Sequence, residues 1–83
     1  MAAILLVEDD LDLREEVADF LRGEGHTVRE AGSRREFRAL MAAEPCDIAL
    51  LDRRLPDGDG LDLISEGRAA GWRCGFVLMT ARD

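Results

Sequence analysis

Short apolar runs separated by amphipathic stretches divide the chain into four predicted strands and three predicted helices. Apolar runs at residues 3–7, 48–51 and 75–79 are typical of strands that are buried on both faces of a parallel sheet. Residues 26–30 alternate well enough to predict a second, edge strand. Between the strands, apolar residues recur every three or four positions, as on one face of a helix. The pattern therefore predicts an α/β domain.

Residues that favour helix ends mark the limits of the predicted helices. Asp10 is placed to cap the first helix, and Ser33, with Glu36 three residues later, predicts a capping box on the second. Asp59 is placed to cap the third helix, and Gly71 is placed to end it. Alternating strands and helices with right-handed crossovers predict a flavodoxin-like, doubly wound parallel sheet with strand order 2-1-3-4.

Acidic residues follow two of the predicted strands. The apolar run that includes Ile48 closes with Asp52, and the first apolar run is followed by Glu8 and Asp9. The carboxyl ends of neighbouring parallel strands form the crevice where ligands bind, so these acids are expected to meet there. Carboxylates so close together repel one another unless a cation joins them. Magnesium, which prefers carboxylate, water and phosphate oxygens, is the expected ion.

Acids in such positions also have purely structural roles. Aspartate is common as a helix cap and in turns, and for Asp10 and Asp57 we favour that interpretation. For Asp52, which ends a buried strand, we favour a functional role.

Three motifs in this order and at these spacings give the chain its resemblance to a known family. They are Val7-Glu8-Asp9-Asp10, then Leu51-Asp52 with Pro56 and Gly60 downstream, then Leu78-Met79-Thr80-Ala81. The chain resembles a response-regulator receiver domain of two-component signalling. The sequence of residues 54–61 is similar to that of receivers that carry a winged-helix DNA-binding domain.

The resemblance implies a role for each matching residue. Asp52 would accept a phosphoryl group from a sensor histidine kinase, and Glu8, Asp9 and Asp52 would bind magnesium together with the backbone carbonyl of Arg54. Thr80 would contact the phosphoryl group and act as the switch residue. The implied protein is a signalling phosphoacceptor in a phosphorelay that regulates transcription, rather than an enzyme beyond its own phosphorylation and dephosphorylation.

The chain is shorter than the family it resembles. A receiver runs to roughly 120 residues, whereas this chain has 83, so residues 1–83 would form about the first two-thirds of one domain. The fifth strand and the last two helices would be absent, together with the lysine that the family places after that strand. The fourth strand would then be an exposed edge. We expect either a fragment of a longer protein, which we favour, or self-association through that edge.

Composition narrows the expected partners. The net charge of −7 argues against direct nucleic-acid contact by this segment. The eleven basic residues are all arginines, and no lysine is present. DNA would be reached only through a missing effector domain. No stretch is long enough for a membrane span and no signal peptide is visible, so a cytoplasmic location is expected. Cys46 and Cys74 are expected to be buried, reduced thiols.

Two other functions stay open. A phosphoryl-transfer hydrolase of similar topology would also use an aspartate after an apolar strand, but such enzymes usually carry a second aspartate two residues later, where this chain has Arg54. A pseudo-receiver that serves only as a protein-interaction module is the stronger alternative. It predicts no phosphorylation even with all three acids in place.

Overall fold

Strands and helices alternate along the chain, as the hydrophobic pattern predicts. A computed structural model describes residues 1–79. Its strands are β1 (Ala3–Val7), β2 (Thr27–Ala31), β3 (Ile48–Asp52), β4 (Arg54–Leu55), β5 (Gly58–Asp59) and β6 (Gly75–Met79). Its helices are α1 (Leu11–Gly23), α2 (Arg34–Ala43) and α3 (Leu61–Ala70).

The main sheet is parallel and has the order β2-β1-β3-β6. Since β6 is its fourth strand, the predicted order 2-1-3-4 is confirmed. The register places Val7 beside Leu51 and Asp52 beside Met79. All four strands therefore end at the same edge of the sheet, which is the edge that carries the acids.

Apolar side chains cover the two faces of the sheet unequally. One face packs against α2 and α3 around Phe37, Leu51 and Leu63, whose side chains are fully buried. The other face packs against α1 through Ala18 and includes Leu6. Among the described residues, α1 is the one helix on that face.

The edge strand β6 is less well covered than the strands beside it. None of its residues is fully buried, and the side chain of Val77 is 48% exposed. The predicted self-association through this edge stays a prediction.

Within residues 1–79, no helix is long and apolar enough to cross a membrane.

The helix ends agree in part with the predicted caps. Asp10 and Ser33 accept hydrogen bonds from the backbone amides of Leu13 (3.2 Å) and Glu36 (3.1 Å), as predicted. In a capping box the Glu36 carboxylate would accept a hydrogen bond from the Ser33 amide. Here it accepts from the amide of the preceding residue, Gly32, at 2.6 Å.

The start of α3 differs from its prediction. The capping position belongs to Gly60, although the Asp59 carboxylate still accepts a hydrogen bond from the Leu61 amide at 2.9 Å. The reason is that Asp59 pairs with Arg54 in the antiparallel hairpin formed by β4 and β5. The proline and glycines of residues 56–60 are typical of a loop, so local sequence does not indicate this hairpin.

The hairpin is joined to α2 by one acidic side chain. The Asp57 carboxylate accepts hydrogen bonds from the backbone amides of Arg34 (2.9 Å) and Arg35 (3.0 Å) at the start of α2. The Arg34 guanidinium donates back to the backbone carbonyl of Asp57 and pairs with Asp62 at 3.1 Å. The structural role expected for Asp57 is confirmed, with a helix distant in sequence as its partner.

We predict that Asp57→Ala lowers the free energy of unfolding at pH 7 and that this difference disappears in acid. The Arg34 amide, followed by the Arg35 amide, holds the pKa of Asp57 below its usual value. A depressed pKa stabilises the fold above the ordinary carboxyl range, and that contribution is lost as the pH falls through the folded-state pKa. Urea unfolding at several pH values between 7 and 3 measures it. Asp19→Ala, at an exposed position on α1, should show no such pH-dependent difference; an equal response of both variants would refute the role.

Candidate functional site

The acids that follow β1 and β3 converge at the carboxyl edge of the sheet. Glu8 and Asp9 come directly after β1, and Asp52 is the last residue of β3, the neighbouring strand. One carboxylate oxygen of each residue lies within 4.8 Å of those of the other two. The predicted convergence of Glu8, Asp9 and Asp52 is therefore present in the structure.

Glu8 is held inside the protein beside the other acids. Its backbone amide donates to the carbonyl of Ala31 at 3.0 Å, which extends the pairing of β1 with β2 beyond the last strand residue. Its side chain is buried, and the carboxylate accepts a hydrogen bond from the Asp10 amide at 3.0 Å. Burial, and then repulsion from Asp52, raise the pKa of Glu8 to about 7. Without a cation, this carboxyl is therefore partly protonated near neutral pH.

The other two acids face solvent to different degrees. Asp9 is exposed, whereas Asp52 is half-buried. The Asp52 carboxylate accepts a hydrogen bond from the Arg54 amide at 3.4 Å, a long distance for such a bond. The Asp52 carboxylate is thus partly open to solvent and only weakly hydrogen-bonded by the Arg54 amide. A carboxylate that is to accept a further group needs both properties.

Gly60 allows the chain to fold back closely on Asp52. Its amide donates to the carbonyl of Arg53 at 2.8 Å, and a Cβ atom at Gly60 would lie 2.1 Å from the backbone oxygen of Asp52. Real side chains do not tolerate such a contact with backbone atoms, so only glycine fits here. Leu55 is buried and anchors the hairpin in the core. The segment after Asp52 is therefore held closely against the end of β3.

The three carboxylates fit a magnesium ion. Their oxygens are the hard ligands that this ion prefers, and magnesium is usually held by few carboxylates together with water and phosphate. Burial, and then repulsion from Asp52, raise the pKa of Glu8, and a divalent cation at the cluster would favour its charged form. The sequence predicted that these three acids meet at one edge of the sheet. It could not predict that the first of these residues is buried.

Two predicted site residues are not settled by this geometry. Thr80 lies outside the described residues. The Arg54 amide faces Asp52, but the role of the Arg54 carbonyl as a metal ligand stays a prediction. Close to the site, Arg53 pairs with Asp59 at 3.2 Å, which holds the two sides of the hairpin together.

We predict that Gly60→Ala destabilises the domain by about 2 kcal/mol or more, in the range typical of steric strain at a packed position. The added methyl group would force the Asp52 backbone and the hairpin apart. Urea unfolding followed by circular dichroism measures the loss. Gly23→Ala is the matched control, because a Cβ atom at this position, the last of α1, meets nothing within 4 Å. Equal stability of the two variants would contradict the close approach.

Comparisons with known proteins agree with this site. The family profile described as the response regulator receiver domain matches residues 4–83. The transcriptional regulatory protein PmrA of Pectobacterium parmentieri is 38% identical over 80 residues, which cover 96% of this chain and 36% of PmrA. The virulence transcriptional regulatory protein PhoP of Salmonella typhimurium is 36% identical over 83 residues, which cover 100% of this chain and 37% of PhoP.

A solved structure extends the agreement to three dimensions. The BeF3-activated N-terminal receiver domain of RstA from Klebsiella pneumoniae superimposes with a TM-score of 0.88 at 31% identity, covering 98% of this chain and 68% of that chain. The present chain spans little more than a third of the length of PmrA and of PhoP. It belongs to the response-regulator receiver domain family, as the three motifs predicted.

Proposed function

We propose that this domain is a phosphoacceptor that takes a phosphoryl group onto Asp52 from a phosphohistidine of a sensor histidine kinase. The observation that carries the proposal is the convergence of Glu8, Asp9 and Asp52 at the end of two adjacent strands. The accessible carboxylate of Asp52 stands next to two acids that can share a cation with it. This is the arrangement that phosphoryl transfer to a carboxylate needs.

Phosphoryl transfer requires little covalent chemistry from the protein. An oxygen of Asp52 attacks phosphorus, a P–O bond forms, and the P–N bond to the kinase imidazole breaks, leaving an acyl phosphate and a neutral histidine. Magnesium held by Glu8, Asp9 and Asp52 would offset the negative charge of the phosphoryl group. The chain's own residues position the nucleophile: β3 fixes its backbone, and the hairpin keeps its surroundings in place.

Burial of Glu8 contributes to this positioning. A buried carboxylate that accepts a hydrogen bond from the Asp10 amide cannot move away from Asp52 without breaking that bond and the packing around it. The negative charge therefore stays concentrated at the strand ends. We infer that this fixed charge is what makes the site selective for a divalent cation.

The remaining roles follow from membership of the family and from the relatives. We propose that Thr80 contacts the phosphoryl group, that the Arg54 carbonyl completes the metal ligands, and that the domain works in the cytoplasm. PmrA and PhoP are named transcriptional regulatory proteins. We propose the same output here, exerted through a separate DNA-binding domain.

An interaction module that is never phosphorylated is the second candidate function. It would keep the cluster of Glu8, Asp9 and Asp52 without accepting a phosphoryl group on Asp52. A phosphoryl-transfer hydrolase has less support, because the position two residues after Asp52 holds Arg54, whose amide faces the Asp52 carboxylate.

We predict that the folded chain gains the mass of one phosphoryl group when incubated with acetyl phosphate and magnesium. Intact-mass spectrometry measures the gain, and circular dichroism confirms that each sample is folded. Asp52→Asn should abolish the gain, because the amide is a far weaker nucleophile than the carboxylate. The control Asp19→Asn, on exposed α1, should retain it. A folded wild-type chain that gains no mass, or an Asp52→Asn variant that gains as much as wild type, would contradict the proposal.

A further inference from the structure

Two cysteines lie together at the opposite end of the sheet from the acidic site. Cys46 comes shortly before β3 and is buried, and Cys74 comes directly before β6 and is half-buried. Both side chains pack in the apolar cluster between the sheet and the helices α2 and α3. Both are free thiols; the burial predicted for both is present at Cys46, whereas Cys74 is only half-buried because it lies beside the exposed edge strand.

The pairing of β3 with β6 brings the two cysteines within bonding reach. The Gly75 amide donates to the carbonyl of Asp47 at 2.9 Å, and Ile48 is in register with Gly75. Cys46 and Cys74 are therefore offset by one residue across adjacent strands. Strands about 4.8 Å apart with a rise of about 3.3 Å per residue would place Cα atoms at this offset about 6 Å apart. This distance lies within the range that disulfides span.

The two side chains also point to the same side. Side chains alternate along a strand, which would place offset residues on opposite faces. Cys46, however, precedes the first residue of β3, so the alternation of side chains along the strand does not determine which way its side chain points. Its presence in the same cluster as Cys74 shows that its thiol lies on the face that Cys74 occupies.

The two thiols differ in their access to solvent. The Cys46 sulfur is enclosed and lies 3.9 Å from the sulfur of Met41. Burial, and then interaction with Cys74, raise the pKa of the Cys46 thiol to about 11. Cys46 is therefore a protonated thiol at neutral pH. Cys74 is the member of the pair that a small oxidant reaches first.

We propose that Cys46 and Cys74 are a redox-sensitive pair that forms a reversible intramolecular disulfide when the protein meets hydrogen peroxide. The Cys74 thiolate attacks one peroxide oxygen, giving a sulfenic acid and hydroxide. The Cys46 sulfur then attacks the Cys74 sulfur, so that an S–S bond forms, the S–O bond breaks and water leaves. The hydroxide takes up the proton that Cys74 lost. Two thiols are oxidised, and one peroxide is reduced to two waters.

The disulfide would close a loop that contains β3, the β4–β5 hairpin and α3. A cross-link of this kind limits the freedom of the unfolded chain and so stabilises the fold. It would also fix β6, the edge strand, to its only described neighbour in the sheet. The pair lies away from Glu8, Asp9 and Asp52, so this inference does not depend on phosphorylation of Asp52.

The test uses the reduced, folded chain treated with hydrogen peroxide and then with iodoacetamide under denaturing conditions. We expect a monomer whose mass is two hydrogens below that of the reduced chain, without alkylation, and which dithiothreitol returns to the doubly alkylatable form. The melting temperature should rise by several degrees, the scale that disulfides give in small domains.

Single variants make the test specific. Cys74→Ser should leave Cys46 unoxidised and alkylatable, because the buried thiol lacks its accessible partner. Cys46→Ala should instead accumulate oxygen adducts on Cys74. The proposal is overturned if the peroxide-treated wild type remains doubly alkylatable, if Cys74 gains oxygens while Cys46 stays alkylatable, or if disulfides form only between two chains.

Discussion

The mutual repulsion of three carboxylates held at one edge of the sheet is the constraint on which the site depends. The register of β1 against β3 fixes Glu8 and Asp9 beside Asp52, and the burial of Glu8 prevents the group from spreading apart. Burial of Glu8, and then repulsion from Asp52, raise the pKa of the Glu8 carboxyl. A divalent cation held by the three acids would remove the repulsion and would link the stability of the strand ends to metal binding.

The surroundings of Asp52 hold this charged edge in place. Gly60 lets the chain return closely over the Asp52 backbone, and the hairpin that precedes it is tied to α2 through Asp57 and Arg34. A second ion pair joins α2 to α3, where the Arg38 guanidinium pairs with Glu66 at 2.8 Å. The segment after Asp52 is thus held in place by several contacts, although its sequence of proline, glycines and charges is typical of a loop.

Sequence patterns predicted the sheet and the acids but not their support. Apolar runs of strand length predicted the strands, and the flavodoxin-like arrangement predicted their order. The rule that parallel strands end at one edge placed Glu8, Asp9 and Asp52 together. The β4–β5 hairpin was missed, because two-residue strands carry no periodicity. The contact of Asp57 with the start of α2 joins residues far apart in the chain, and local patterns do not encode such pairs. The burial of Glu8 depends on the same tertiary packing.

Urea unfolding of wild type and of Asp9→Asn, each with EDTA and with magnesium at constant ionic strength, tests most directly whether carboxylate repulsion governs this site. Asp9 is exposed, so its replacement by the isosteric amide removes charge with little effect on packing. We expect the variant to be more stable than wild type in EDTA, and magnesium to stabilise wild type much more than the variant. A variant that is less stable in EDTA and gains as much from magnesium as wild type would contradict the account.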